Sequence, residues 1–374
     1  AQRLRRHARS DDTVARLGGD EFVVLIEALA SETAFATLDR IARELQATLE
    51  SPFQLGAQSV VVQASLGIAL YPDNAASPGD LLKMADEAMY DSKRRLPGGY
   101  AFYTSNISAA TRERFELTQE LREAIQRNEF LLHYQPKVDA ENGRLRGAEA
   151  LLRWQSPQRG LVPPGRFVHL LDEMGLGTWL GEWVLEQACA QMRAWDVQGF
   201  APFPVSINLS PLQFERTPVV ERVRDALHRH GLPPERLELE VLESMAANQS
   251  REIRGSLSAL RTLGVRIALD DFGTGFSSLV HLTEVPADIL KLDRVFTLGL
   301  CADLRQREIV RSIIDIARVM QLDVVAEGVE TEAQRALLPT LGCHLLQGYL
   351  IGRPVAPESF AQRWLATAMR PSMQ

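Results

Sequence analysis

The sequence has few cysteines, no long apolar run and no excess of positive charge. Its three cysteines, Cys189, Cys301 and Cys343, form no Cys-x-x-Cys pair, which disfavours a disulfide framework or a zinc site and favours a reducing cytoplasm. No stretch approaches the ~20 apolar residues of a membrane span, and no signal peptide is visible. The net charge of −7 argues against nucleic-acid binding, so an anionic substrate would have to meet local arginine, lysine or metal ions.

The chain does contain enough apolar residues for a large core. Its 374 residues are 45% hydrophobic and 24% charged, which is typical of a globular protein. At ~100–200 residues per domain, we expect about two domains. The chain begins at Ala1, without a methionine and inside a helical pattern, so we expect it to be part of a longer protein.

The first hundred residues mix helical and strand patterns. Helical patterns end near Arg9 and cover residues 31–50 and 78–95, and apolar runs at residues 22–26 and 59–69 are typical of strands. Gly18-Gly19 before the first of these runs predicts a tight hairpin. Residues 105–126 are charged and lack proline and glycine, which predicts a connecting helix. We therefore predict a first domain over residues 1–103, a connecting helix over 104–125 and a second domain over 126–370.

From residue 130 onward, short apolar runs alternate with longer helical stretches. The predicted strands cover residues 130–137, 146–154, 205–209, 237–241, 265–271, 289–293, 324–327 and 345–347. The predicted helices cover residues 181–194, 219–230, 250–263, 303–320 and 331–341. This alternation is typical of a parallel sheet, either a (β/α)8 barrel or a doubly wound open sheet.

Polar residues at the ends of these strands favour the barrel, because barrel enzymes carry their chemistry at the carboxyl ends of strands. The polar residues are Glu149 and Arg153, which share a strand face with Leu151, then Asn208, Glu240, Glu243, Asp270, Asp271, Lys291, Asp293, Glu327 and Glu330. Carboxylates gathered at one barrel mouth would repel one another without shared cations. Hard oxygen ligands select Mg²⁺ or Mn²⁺. The pattern thus predicts a dinuclear metal site suited to in-line phosphoryl displacement.

The first part of the chain resembles the GGDEF diguanylate cyclase family. The resemblance rests on RLGGDEFV at residues 16–23, ASLGI at 64–68 and an Ala-Asp…Met-Tyr…Lys pattern at 85–93. Arg9 and Asp12 have the spacing of the family's RxxD product-inhibition site. The resemblance implies a partial α+β, nucleotide-cyclase-like domain, because the family's metal aspartate and base-binding residues lie upstream of this chain. We expect this part to make no cyclic di-GMP and to act structurally or in regulation.

The second part resembles the EAL family of cyclic di-GMP phosphodiesterases over residues 128–365. Its motifs are YQP at 134–136, EALLRW at 149–154, VSINLS at 205–210, EVLES at 240–244, DDFGTG at 270–275, KLD at 291–293, AEGVE at 326–330 and QGY at 347–349. The resemblance implies a TIM-like barrel that hydrolyses cyclic di-GMP to linear pGpG with two divalent cations, Mg²⁺ or Mn²⁺, and is inhibited by Ca²⁺. It also implies a homodimer through the barrel.

The same resemblance implies roles for individual residues. Glu149, Asn208, Glu240 and Asp270 would hold one metal ion, and Asp270, Asp271 and Glu327 would hold the second. Among the catalytic positions, Glu327 would also serve the nucleophilic water, Lys291 would orient water or phosphate, and Glu243 would fix the Asp270-Asp271 loop. Arg153 would pair a phosphate oxygen through its planar donors. The substrate-pocket positions would be Gln135, Leu151, Arg153, Asp293, Glu330, Gln347 and Pro354.

Two departures from the family pattern leave the predicted ligands intact. Leu242 stands where many members have threonine, and His344 where many have aspartate; we expect the first to tune the rate and the second to begin a strand. Three functions stay open: an active phosphodiesterase, which the complete ligand set favours, a non-catalytic cyclic di-GMP receptor, and an unrelated barrel enzyme. The last would use Lys291 as a Schiff-base lysine or two acids as a glycosidase pair. Only the phosphodiesterase should require Mg²⁺ or Mn²⁺ for turnover.

Overall fold

The computed structural model describes residues 2–7, 9, 11–29, 34–55, 58–60, 62–95, 98–103, 109–216, 218–243, 245, 251–273 and 285–366. The chain divides into two compact units, Ala1–Arg122 and Glu123–Gln374. A helix at Ala109–Gln126 crosses this division. The domain limits inferred from the sequence stay a prediction. Among the described residues, no helix combines the length and the apolar character needed to cross a membrane.

The first unit contains short strands and longer helices. Its helices are α1 (Gln2–His7), α2 (Ala34–Glu50), α3 (Pro78–Arg95) and α4 (Ala109–Gln126). Its strands are β1 (Thr13–Gly18), β2 (Glu21–Leu25), β3 (Phe53–Leu55), β4 (Gln58–Val60), β5 (Leu66–Ile68) and β6 (Tyr100–Phe102). The hairpin predicted at Gly18-Gly19 joins β1 to β2, and Gly19 takes a φ of +51°, which favours glycine.

One prediction for this unit is wrong. Residues 59–69 do not form a single strand, because β4 pairs with β3 in a local antiparallel hairpin whereas β5 pairs in parallel with β6. Two different pairing partners require a break between the two short strands. The local apolar pattern does not show which strand each half of residues 59–69 will pair with. The sequence therefore predicted one strand where the structure has two.

A partly buried group of hydrogen bonds and ion pairs around Asp39 ties α4 to the rest of this unit. The Asp39 carboxylate accepts hydrogen bonds from the Tyr100 hydroxyl and from the Arg122 guanidinium, and Arg43 Nη2 donates to Asp39 Oδ2 at 2.7 Å. Arg122 Nη1 also donates to the Tyr100 hydroxyl at 2.8 Å. Burial alone would raise the pKa of Asp39, but the hydrogen bonds from Arg122 and Tyr100 outweigh it and lower that pKa.

The second unit is a closed barrel. Its strands are β7 (Phe130–Asp139), β8 (Leu145–Ser156), β9 (Gly160–Val162), β10 (Val205–Asn208), β11 (Leu237–Leu242), β12 (Arg266–Phe272), β13 (Ile289–Leu292), β14 (Asp323–Ala326) and β15 (Leu345–Leu346). The sheet runs from β10 through β15 to β7, β8 and β9, and pairing of β8 with β10 closes it around eight strands. The predicted barrel is confirmed, and the open-sheet alternative is wrong.

The alternation of patterns predicted a parallel sheet throughout, and this prediction is wrong for one strand. Strand β7 is antiparallel to both of its neighbours, β8 and β15. Only residues 140–144 separate β7 from β8, and a parallel crossover needs a dozen or more residues. The sequence prediction also missed β9, which extends the sheet beyond β8 in an antiparallel pairing.

Helices surround the barrel. They are α5 (Val168–Glu173), α6 (Gly177–Val197), α7 (Pro211–Arg216), α8 (Val219–His230), α9 (Arg251–Leu263), α10 (Arg294–Thr297), α11 (Leu304–Val319), α12 (Glu332–Leu337) and α13 (Pro357–Phe360). Short 3₁₀ turns cover Pro164–Arg166, Pro234–Arg236 and Leu338–Leu341, and a π-helical turn covers Ala361–Leu365. The predicted helix at 331–341 begins with a capping box between Thr331 and Gln334. It changes to a 3₁₀ turn where Pro339 removes an N–H donor.

The mouth of the barrel depends on a close backbone approach. A side chain at Gly348 would place its Cβ 2.2 Å from the backbone N and O of Val329, so only glycine fits there. The approach lets Val329 N donate to Gln347 O at 3.1 Å, while Gln347 N donates to Ala326 O at 2.9 Å. These bonds bring the residues after β15 alongside those after β14.

Candidate active site

Four acidic side chains from different strands converge on the ammonium of Lys291. Lys291 Nζ, on β13, lies 2.5 Å from Glu240 Oε2, 2.7 Å from Glu327 Oε1, 3.0 Å from Asp270 Oδ1 and 3.8 Å from Glu149 Oε2. The acids lie on β8, β11 and β12 and directly after β14. Parallel strands bring their carboxyl ends to one edge of the barrel, which is why residues far apart in the sequence meet here.

The cluster holds more negative than positive charge. Glu240 and Lys291 are each only 1% exposed. Burial would lower the pKa of Lys291, but the surrounding carboxylates raise it well above its usual value, so the ammonium stays charged. Burial would raise the pKa of Glu240, but Lys291 and Lys137 outweigh it and lower that pKa to about 2. Burial, reinforced by the charge of Glu240, raises the pKa of Glu149 to about 8. One ammonium therefore does not neutralise the mouth.

Two amide side chains orient Glu149, and a third amide side chain contacts one of them. Asn208 Nδ2 donates to Glu149 Oε1 at 2.9 Å, and Gln347 Nε2 donates to Glu149 Oε2 at 2.5 Å. Gln347 Nε2 also lies 3.3 Å from Gln135 Oε1, and Gln135 Nε2 donates to Gly352 O at 3.0 Å. Gln135 and Gln347, predicted as pocket residues, thus lie in the wall of the acidic cluster.

The two adjacent aspartates are the fifth and sixth residues of β12, just before the turn at Gly273. Asp271 adopts a φ of +55°, and its N–H donates to Asp270 Oδ1 at 3.0 Å. Gly273 N donates to Glu243 Oε2 at 2.8 Å. Partial burial, followed by the charges of Asp270 and Asp293, raises the pKa of Asp271. Thr274 and Gly275 of this motif, and Ser244 of the EVLES motif, lie outside the described residues.

The other predicted pocket residues are partly buried or contact residues outside the acidic cluster, and Asp293 also interacts with Asp271. Arg153 Nη1 donates to Leu152 O at 2.7 Å, and Leu151 and Pro354 are half-buried. Asp293 caps α10 by accepting from Val295 N at 2.8 Å. Glu330 pairs with Arg294 at 3.1 Å between Oε1 and Nη2, and both side chains are exposed. The structure therefore places none of these side chains against the Lys291 ammonium.

Leu242 and His344, the two departures from the family pattern, are both exposed. Leu242 is 38% exposed and lies opposite Asp270 in the pairing of β11 with β12. His344 directly precedes β15, and its backbone oxygen accepts a hydrogen bond from Ala140 N at 2.9 Å. In the first unit, Arg9 N donates to Asp12 Oδ2 at 2.8 Å, which closes a tight turn at the RxxD spacing.

Sequence reasoning missed one buried pair beside the cluster. Lys137 Nζ lies 2.7 Å from Glu238 Oε2 and 3.4 Å from Glu240 Oε1. The period-two rule could have found both, because Lys137 shares a strand face with Gln135 and Glu238 shares one with Glu240.

The donor set suits hard divalent cations, although no metal-binding group is preformed in the described residues. Within the part of the chain that the structure describes, no three His, Cys, Asp or Glu side chains stand close enough to enclose an ion. The carboxylates instead face the Lys291 ammonium. The carboxylate and amide oxygens of the site are ligands of the kind that hard divalent cations prefer.

Comparison with known proteins identifies the class to which this barrel belongs. Residues 118–354 match the EAL domain family, and residues 1–96 match the family described as "Diguanylate cyclase, GGDEF domain". The chain belongs to the EAL domain family and carries a GGDEF domain before the barrel.

Particular relatives agree with this assignment. The chain is 47% identical over 358 residues to the bifunctional diguanylate cyclase/cyclic di-GMP phosphodiesterase MucR of Pseudomonas aeruginosa, covering 96% of this chain and 52% of MucR. It is 36% identical over 374 residues to the cyclic di-GMP phosphodiesterase NbdA of the same organism, covering 99% of this chain and 47% of NbdA. The solved complex of the PaMucR phosphodiesterase with c-di-GMP is 48% identical, with a TM-score of 0.63, over 66% of this chain and 99% of that one. The chain spans about half the length of the curated relatives it matches.

Proposed function

We propose that the barrel unit hydrolyses cyclic di-GMP to linear pGpG by in-line attack of water on one phosphodiester bond. The observation that carries the proposal is the convergence of Glu149, Glu240, Asp270 and Glu327 around Lys291 at the mouth of the barrel. The relatives named as cyclic di-GMP phosphodiesterases support the choice of substrate. A binding protein without catalysis would have no need of so many buried acids.

Two divalent cations, Mg²⁺ or Mn²⁺, complete the proposed site. Glu149, Asn208, Glu240 and Asp270 would hold one, and Asp270, Asp271 and Glu327 would hold the other. Bound there, such cations supply positive charge to the attacking and leaving oxygens of the displacement. Ca²⁺, whose coordination is longer and looser, would inhibit.

The chain's own residues position the attacking water and the phosphate, and one of them deprotonates that water. Glu327, whose pKa burial raises, accepts the proton of the attacking water at a carboxylate oxygen. Lys291 keeps its proton and donates hydrogen bonds to water or to a phosphate oxygen. Arg153 offers its planar fork of donors to a phosphate. Gln347 holds Glu149 in place through the 2.5 Å bond to Oε2.

The direct test is incubation of the whole chain with cyclic di-GMP and Mg²⁺, followed by chromatography. We expect linear pGpG to accumulate, and chelation of the metal to stop it. Glu149→Ala should be inactive, and Glu141→Ala, which changes an exposed acid on the turn after β7, should match the parent. Tight binding of cyclic di-GMP without any pGpG in Mg²⁺ or Mn²⁺ would favour the receptor alternative instead. The homodimer through the barrel stays a prediction, which sedimentation can test.

A further inference from the structure

A second lysine lies inside the barrel next to Glu240. Lys137 reaches inward from β7, and its Nζ lies 2.7 Å from Glu238 Oε2 and 3.4 Å from Glu240 Oε1. Lys137 is 3% exposed and Glu238 is 4% exposed. Glu238 precedes Glu240 by two residues on β11, so this pair lies on the side of Glu240 that faces away from the mouth.

The two oxygens of Glu240 therefore have different partners. Oε1 faces Lys137, whereas Oε2 faces Lys291 at 2.5 Å. Strands β7 and β11 are not neighbours in the sheet, so Lys137 crosses the barrel interior to make this contact. It ties a carboxylate of one wall to the opposite wall.

Lys137 is itself held independently of the mouth. Glu238 Oε1, the oxygen that Lys137 does not contact, lies 3.4 Å from Arg266 Nη1, and Arg266 Nη2 pairs with Asp323. The ion pairs thus continue from Glu240 toward the amino ends of the strands. This arrangement fixes the Lys137 ammonium even when the groups at the mouth change partners.

We infer that Lys137 is a positioning residue that fixes Glu240 Oε1 and so directs Oε2 toward the metal site. This inference rests on the proposed function, in which Glu240 is a metal ligand. Divalent cations would compete with Lys291 for the carboxylates at the mouth. Lys137 would keep its contacts with Glu238 and with Glu240 Oε1. Partners that orient metal ligands typically account for 10–100-fold in metal affinity or activity.

Two variants separate positioning from simple structural support. Lys137→Met removes the ammonium and leaves Glu238 and Glu240 without it, which should lower the midpoint of thermal unfolding in EDTA. Lys137→Met/Glu238→Gln also removes one of the two charges that Lys137 balances, so that midpoint should partly recover. Calorimetric titration with Mn²⁺ should show affinity about 10–100-fold below the parent in both variants. The affinity for cyclic di-GMP should change by no more than a few-fold.

Arg236→Met is the matched control. Arg236, which directly precedes β11, is also buried, at 7% exposed, and its Nη1 lies 3.1 Å from Asp196 Oδ2. Its loss should lower the unfolding midpoint and leave Mn²⁺ affinity unchanged. If the double variant recovered both its stability and its Mn²⁺ affinity, Lys137 would be a structural residue only. Failure of the parent to bind Mn²⁺ would also overturn the inference. If the parent binds Mn²⁺ but does not hydrolyse cyclic di-GMP, the proposed function fails, and the comparison of Mn²⁺ affinities still decides the role of Lys137.

Discussion

Glu243 accepts a hydrogen bond from the backbone N–H of Gly273, with 2.8 Å between Oε2 and N. The bond ties the end of β11 to the turn that directly follows β12, the strand that carries Asp270 and Asp271. Gly273 has a φ of +90°, and a Cβ there would lie 2.4 Å from the Phe296 ring. The turn is therefore closed from two sides, by a carboxylate and by an aromatic ring.

This relationship predicts that Glu243 acts through the turn. Glu243→Ala removes a charge-assisted hydrogen bond, so kcat for cyclic di-GMP should fall about 10–100-fold. Glu243→Gln keeps an acceptor of the same shape and should restore most of the rate. Steady-state assays of both variants in Mg²⁺ measure this, and equal losses in the two would count against an acceptor role.

Substitution of a proposed metal ligand should abolish turnover and leave the fold intact. Asp270→Ala and Asp271→Ala should each remove hydrolysis in Mg²⁺, because each leaves a divalent cation under-coordinated. Circular dichroism should show an intact barrel in both. Near-normal turnover by Asp270→Ala would be incompatible with the two-metal proposal. Replacing Mg²⁺ with Ca²⁺ should likewise suppress the parent's activity.

The Asp39 ion pair predicts a pH-dependent stability of the first unit. The pKa of Asp39 lies below its ordinary value of 3.8. The contribution of the ionised Asp39 carboxylate to the free energy of unfolding is therefore complete above about pH 4, and it is lost as the pH falls through the lowered pKa. Asp39→Asn should therefore reduce the free energy of unfolding at pH 7, by about 1–3 kcal/mol, and the deficit should shrink at pH 3.

Urea unfolding of the full chain, followed by circular dichroism at both pH values, measures this difference. Glu44→Gln is the control, because its pair with Arg40 is well exposed and such pairs contribute little. A deficit of equal size at pH 7 and pH 3 would show that Asp39 stabilises through its shape and not through its charge.

How far the sequence predicts this site depends on whether contacts follow from strand periodicity. Glu149 and Glu240 were placed at the mouth because polar residues at strand ends meet there. The contact between Lys137 and Glu240 was not predicted, because residues on opposite walls meet only once the barrel has closed. The reversed direction of β7 could have been predicted, because residues 138–145 between the two predicted strands are too few for a parallel crossover.

Glu327 is the residue whose substitution best separates catalysis from binding. It follows β14 directly, and its Oε1 lies 2.7 Å from Lys291 Nζ. Gly328, the next residue, has a φ of +63°, and a Cβ there would lie 2.5 Å from the Arg294 side chain. This left-handed backbone conformation, which favours glycine, sets where the Glu327 carboxylate enters the site.

Glu327→Gln should bind cyclic di-GMP within a few-fold of the parent and hydrolyse it far more slowly. The amide keeps the shape of the side chain and one acceptor oxygen, but it cannot take a proton from the attacking water. General-base effects are worth roughly 10²–10⁴-fold, and a weaker second metal site would add to the loss. Calorimetry gives the binding and chromatography of pGpG gives the rate, with Glu332→Gln, an exposed acid on α12, as the matched control. Loss of binding together with turnover would make Glu327 a structural residue, because substrate affinity should depend on Arg153, Gln135 and the pocket walls.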